Sequence, residues 1–251
     1  VAGNSIGQFV DDNGGERSLA VVDGGGPEPI RRSLERLFEE QSVRVGETLP
    51  EGENDEDLVV LLDGGEVVAT DPLSSVYQSV LGVNTDIYTT GSRRLEDAAL
   101  PSVLSELAGT TFTVREYPAS DREKLLLVAV SRAIERRAFV EAAGKIRSSF
   151  QRLSRVEDER GTKRVYERLV DRGLDVHLYG RPDWTPGSEF GVTIHGGHTS
   201  DFTDSWFVVY DGEESSAALV ALKRGRSHWD GRWTFDSEEV RAVAEYIERE
   251  L

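Results

Sequence analysis

Residues 120–151, SDREKLLLVAVSRAIERRAFVEAAGKIRSSFQ, hold the change of pattern that decides the fold. From Ser120 to Ala143 there is neither proline nor glycine. Ser120 followed three residues later by Glu123 is a capping-box pattern, and Leu127, Val130, Ile134 and Ala138 recur at helical spacing. Gly144 ends this helix, the longest expected in the chain, and Lys145–Gln151 returns as a strand. A long helix feeding a strand, with more helices and strands on both sides, calls for layers of helix on sheet.

Toward the N-terminus, Ser18–Val22 reads as a buried strand, Gly24-Gly25-Gly26-Pro27 as a turn, Pro29–Gln41 as a helix and Ser42–Val45 as a strand. The acidic run Glu51–Asp57 reads as an exposed loop. Asp63-Gly64-Gly65 between Leu58–Leu62 and Glu66–Ala69 is a hairpin signal. A short helix follows from Asp71-Pro72 to Val80. Leu95–Leu107 is expected as a helix interrupted at Pro101, and Thr110–Tyr117 as a strand.

Toward the C-terminus, Thr162–Arg172 is a helix closed by Gly173. Strands follow at Val176–Gly180, Phe190–Ile194, Ser205–Tyr210, Ala217–Leu222 and Trp229–Phe235. A last amphipathic helix, Ser237–Leu251, turns Val240, Val243, Ala244 and Ile247 inward. The class expected is α+β: an α/β N-terminal part, then a mixed, mostly antiparallel sheet with covering helices on one face. Residues 1–87 form an N-terminal segment packed on a core of residues 88–251.

Charge is distributed unevenly. The chain has 46 Asp/Glu against 29 Lys/Arg, a net charge of −17. Yet between Arg122 and Arg168 thirteen Lys/Arg face seven Asp/Glu, a local +6. An acidic surface with few lysines suits a halophilic, cytoplasmic protein, because dense carboxylates hold water and prevent association. At about 1 M salt the Debye length is about 3 Å, so only contact-range charge interactions survive. The basic island therefore pairs internally, with Glu141, Glu157, Asp158, Glu159 and the acidic surface, or meets an anionic partner at contact range. Binding to nucleic acid is disfavoured by the net charge and by salt. No stretch approaches the roughly 18 apolar residues of a membrane span, and the absence of cysteine removes disulfides, thiolate metal sites and cysteine nucleophiles.

Within the island the candidate ligand-binding residues are Arg132, Glu135 and Arg136 on the long helix, with Phe150, Gln151, Arg152, Ser154 and Arg155 on the strand and its exit. Arginine forks recognise carboxylate and phosphate and stack on aromatic rings. Other motifs carry less. Val21-Val22-Asp23-Gly24-Gly25-Gly26 lacks the spacing and the lysine of a phosphate-binding loop, and Pro27 and Pro29 remove amide donors. His195-Gly196-Gly197-His198, with Asp201 and Asp204, has metal-ligand residue types but reads equally as a polar hairpin loop. No G-x-S-x-G elbow supports a serine nucleophile. Neither a catalytic residue, a metal nor a cofactor is assigned.

Tyr88-Thr89-Thr90-Gly91-Ser92-Arg93-Arg94, Ser131-Arg132-Ala133-Ile134-Glu135, Ser148-Ser149-Phe150-Gln151-Arg152-Leu153-Ser154-Arg155 and Val176-His177-Leu178-Tyr179-Gly180-Arg181-Pro182-Asp183 together carry a resemblance. From about Tyr88 to Trp184 the sequence resembles the DICT sensory domain, named for its occurrence with diguanylate cyclases and two-component proteins. The acidic, arginine-biased surface is similar to stand-alone haloarchaeal versions. The resemblance implies a non-enzymatic sensory or regulatory module in signal transduction, answering to a small anionic metabolite or a signalling protein. Its signal would leave through a partner or through homodimer contacts. Two other readings stand beside it: an interaction adaptor docking through Ser237–Leu251 or a sheet edge, and a metal-dependent hydrolase built on His195 and His198.

Overall fold

The computed structural model describes residues 5–10, 17–22, 32, 44–45, 56–81, 94–115, 124–225 and 228–251. The glycine turn at 24–27, the helix expected over Pro29–Gln41, most of the acidic loop and the Ser120/Glu123 cap lie outside the described residues. So does most of the Tyr88–Arg94 motif.

Among the described residues a small sheet forms from β1 (Arg17–Val22), β2 (Arg44–Val45), β3 (Leu58–Asp63) and β4 (Glu66–Pro72), in the order β2-β1-β3-β4. β2 runs parallel to β1 and the other pairs are antiparallel. Gly64 and Gly65 close the β3–β4 hairpin at φ 58° and 89°, a left-handed backbone that glycine adopts without a Cβ clash. Helix α1 (Leu73–Leu81) follows. The expected helix over Leu95–Leu107 is instead a 3-10 turn, Leu95–Asp97, and a short helix α2 (Ser102–Glu106) that starts after Pro101. The proline sits at the N-cap, where its missing N–H costs nothing.

β5 (Thr111–Arg115) then enters the large sheet, and α3 (Lys124–Glu141) is the longest helix. Ala142 and Gly144 both take positive φ. A Cβ on Gly144 would lie 2.4 Å from the Asp211 carbonyl oxygen, so only glycine lets the chain turn sharply into β6 (Lys145–Arg152). Next come α4 (Ser154–Asp158), α5 (Arg160–Asp171) and β7 (Asp175–Arg181). These are followed by β8 (Thr193–Gly196), α6 (Ser200–Thr203), β9 (Ser205–Asp211), β10 (Ser216–Arg224), β11 (His228–Thr234) and α7 (Ser237–Glu250).

The seven strands order β5-β11-β10-β9-β6-β7-β8. Pairing is antiparallel from β5 across to β6 and parallel over β6-β7-β8. The parallel β6–β7 pair needs a crossover, and α4 and α5 supply it. This is the mixed, largely antiparallel α+β architecture that the sequence pattern predicts.

The expectation that helices cover one face is corrected. Along β9, Val208 and Tyr210 pack with Leu127, Val130 and Ile134 of α3, whereas Phe207 and Val209 pack with Val240, Val243 and Ile247 of α7. Alternate residues of a strand point to opposite faces, so both faces of the sheet are covered. α3 is also enclosed from a second side, since Leu19, Val59, Leu61, Val76 and Val80 join the same cluster. A helix buried around most of its circumference needs no polar face, and Arg132 and Glu135 are therefore taken inside with it.

Candidate functional site

Where α3, α5 and the ends of β6 and β9 converge they leave a cleft. It is lined by Val128, Arg132, Glu135, Phe150, Tyr166 and Trp206, with Ser131, Ser149, Gln151, Arg155, Glu159, Thr162 and Val208 completing it. The cavity measures about 60 Å³, or about 490 Å³ when all the space between its walls and the open solvent is counted.

The floor is set by a break in β6. Pairing of β6 with β7 shifts register between Ser149 and Arg152, and Gln151 takes φ 47°. An L-residue in that region pays about 1–2 kcal/mol, and bulges of this kind re-aim side chains at strand ends. Here the bulge turns Gln151 inward. Its Nε2 donates to the Ser205 carbonyl at 2.6 Å, and its Oε1 accepts from Arg155 Nη1 at 2.6 Å.

A chain of hydrogen bonds runs along one wall. Arg132 Nη1 donates to Glu135 Oε2 at 2.5 Å, with both side chains no more than 4% exposed. Arg132 Nη2 donates to Thr162 Oγ1 at 2.9 Å, and the Thr162 hydroxyl donates to Glu159 Oε2 at 3.0 Å. Tyr166 Oη donates to Glu135 Oε1 at 2.8 Å. Burial first, and then the Glu135 carboxylate, push the Tyr166 phenol well above its ordinary range, so it stays a neutral donor. The opposite wall is aromatic. Phe150 meets Tyr166 edge to face, and Trp206 Nε1 donates to Ser131 Oγ at 3.1 Å.

Of the eight residues singled out in the sequence, the structure brings Arg132, Glu135, Phe150, Gln151 and Arg155 to this cleft. The other three point elsewhere. Arg136 donates to the Glu96 carbonyl and faces a separate groove with Arg137 and Glu141. Arg152 is exposed and does not line the cleft. Ser154 binds the Asp183 carboxylate through both its amide and its hydroxyl. Tyr166, Thr162, Trp206 and Val208 were not expected. Thr162 and Tyr166 are four apart on a predicted helix and so share a face; that spacing was the available signal.

The rest of the island is largely tied down. Lys145 and Arg147 bind Glu248 of α7, Lys163 binds Glu157, and Arg168 binds Glu96. Glu141, expected to pair with an arginine, accepts from the Glu214 and Ser215 amides instead. Asp183 and Glu248 sit below the usual carboxylate range: hydrogen bonds from Ser154 outweigh desolvation at Asp183, and the Arg147 hydrogen bond leads at Glu248.

His195 does not turn toward His198. It stacks on Tyr179 with ring centroids 4.3 Å apart, and its Nε2 lies 2.8 Å from His177 Nδ1, on the α7 side of the sheet. Burial, followed by the charge of His177, lowers its pKa. Among the described residues no three His, Asp or Glu side chains converge as a metal site would require.

The sequence model of one family, DICT, described as "Sensory domain in DIguanylate Cyclases and Two-component system", matches residues 101–224. The chain carries a DICT domain. All the residues lining the cleft, from Val128 to Val208, fall inside the DICT match. The small sheet, α1, β11 and α7 fall outside it, as does Tyr88–Arg94. No curated protein matches the chain. A crystal structure of polyphosphate kinase from Porphyromonas gingivalis is similar at 12% identity over 90% of this chain and 34% of that chain, with a TM-score of 0.38. A likeness at that level carries no functional argument. No helix among the described residues is long and apolar enough to cross a membrane.

Proposed function

We propose that the chain is a non-catalytic sensory protein whose DICT domain takes up a small anionic metabolite in the cleft between α3, α5 and β6. One observation carries this reading. Arg155 is held by the Gln151 amide, not by a carboxylate, whereas Arg132 beside it is neutralised by Glu135. A half-buried guanidinium in an aromatic-walled cleft, supported from a strained bulge, is built for an anion at contact range.

The lining argues against catalysis. Ser131 accepts from Trp206, and Ser149 accepts from the Phe207 amide and donates to the Ser205 carbonyl, so neither hydroxyl has an activating base. His195, on which the hydrolase reading rests with His198, stacks on Tyr179 and faces His177 instead. For the adaptor reading, the apolar face of α7 is covered by the sheet, so docking would use the outer face of that helix or a sheet edge. The halophilic, cytoplasmic setting belongs to the same proposal and rests on net charge.

Small molecules extracted from affinity-purified native protein, compared by mass spectrometry with those from Arg155→Met, test the reading. A stoichiometric acid retained by the native chain and lost from the variant supports it. Identical extracts from two folded proteins would contradict it.

A further inference from the structure

Resting on that reading, we infer that the ligand is a monocarboxylate with a short apolar or aromatic body, and not a phosphate, a dicarboxylate or an amine. Nearly every polar group of the lining already has its partner inside the protein. Gln151 spends its amide on Ser205 and Arg155, Tyr166 spends its hydroxyl on Glu135, and Trp206 spends its indole N–H on Ser131. Thr162 bridges Arg132 to Glu159. What remains to offer a ligand is the rest of the Arg155 guanidinium, the outer edge of the exposed Glu159 carboxylate, and the apolar surface of Val128, Phe150, Trp206 and Val208.

Charge counting gives the same class. Arg132 and Arg155 are matched by Glu135 and Glu159, so the lining is neutral before a ligand enters. One anionic group can sit on Arg155. A second negative charge would meet Glu159 and Glu135, with no further cation to receive it. A cation seated against Arg155 would meet its positive charge.

Size limits the body. The cavity of about 60 Å³ holds on the order of four waters, which suits a propyl chain or part of one phenyl ring. The carboxylate then lies against Arg155.

Isothermal titration of the native chain with butyrate, benzoate, succinate, inorganic phosphate and butylamine tests this. Two variants accompany it: Arg155→Met removes the fork, and Val128→Phe fills the cleft from a half-buried position. The expected result is binding of butyrate or benzoate, with succinate, phosphate and butylamine at least tenfold weaker. Arg155→Met should weaken the bound acid about tenfold or more, as loss of a charge-assisted pair does, and Val128→Phe should weaken it as well. Phosphate or succinate binding more tightly, yet lost in Arg155→Met, would overturn the monocarboxylate class and leave the anion cleft standing. Preference for butylamine would overturn both. So would failure of all five to bind, or binding indifferent to both variants.

Discussion

Gln151 is the residue on which the cleft turns. Its left-handed backbone is a cost, and its side chain recovers that cost through the Ser205 carbonyl and Arg155. Two variants separate these contributions in urea denaturation. Gln151→Ala keeps the strain and loses the bonds, so it should destabilise the protein by about 1–3 kcal/mol. Gln151→Gly loses the same bonds but releases the backbone, and should be about 1 kcal/mol more stable than Gln151→Ala; the reverse order would mean that the bulge is absent. Arg132 and Glu135 make a second case. Arg132→Met alone should cost about 3–5 kcal/mol by stranding a buried carboxylate, while Arg132→Met with Glu135→Leu should recover most of that loss. Sequence marked Arg132, Glu135, Gln151 and Arg155 because such residues cluster unusually in an acidic chain. It did not separate them from Arg136 and Arg152, because the bulge at Gln151, which has no residue signature of its own, decides which side chains turn inward.

Elements show a different balance of legibility. The long helix, the strands from β6 onward and the last helix follow from apolar period and glycine stops. The double burial of α3 does not, since it depends on the small sheet folding back over a helix whose pattern looks one-sided. The docking of α7 likewise rests on long-range partners: Glu248 reaches Arg147 and Lys145, and Tyr246 Oη donates to Asp201. Beneath this contact lies His195, whose pKa is lowered from 6.5 chiefly by burial. A histidine held neutral contributes stability that is fully present above its unfolded pKa and is lost as pH falls through the lower, folded value. Native protein should therefore lose stability from about pH 6.5 downward, and His195→Phe, which keeps the stack on Tyr179, should lose less over that interval. Equal losses in both would remove His195 as the cause. At the other extreme Tyr179 is raised to about 12, mainly by burial, so its contribution is fully present below about pH 10 and is lost as pH rises through the folded value.

For the whole molecule, the net charge of −17 is the dominant fact. The basic island softens it locally through internal ion pairs, but self-repulsion over the remaining surface opposes folding until salt screens it. Melting temperature should rise steadily between about 0.1 M and about 2 M KCl; a flat or falling profile would contradict the halophilic reading. The island first reads as one surface for an anionic partner. In the fold it is mostly mortar between α3, β6, α5 and α7, and within the cleft the cation held by an amide and not by a carboxylate is Arg155. The chain has four tryptophans, and of these Trp206 alone lines that cleft, so their indole N–H signals give the location of binding directly. The measurement is a nitrogen–proton correlation titration of the native chain with benzoate. The Trp206 indole and Arg155 Nε–H signals should move together and saturate together, Trp229 following only through its edge contact with Trp206, while those of Trp184 and Trp233 stay in place. Saturable shifts at Trp184 or Trp233, or none at Trp206 and Arg155, would contradict the cleft as the sensory site.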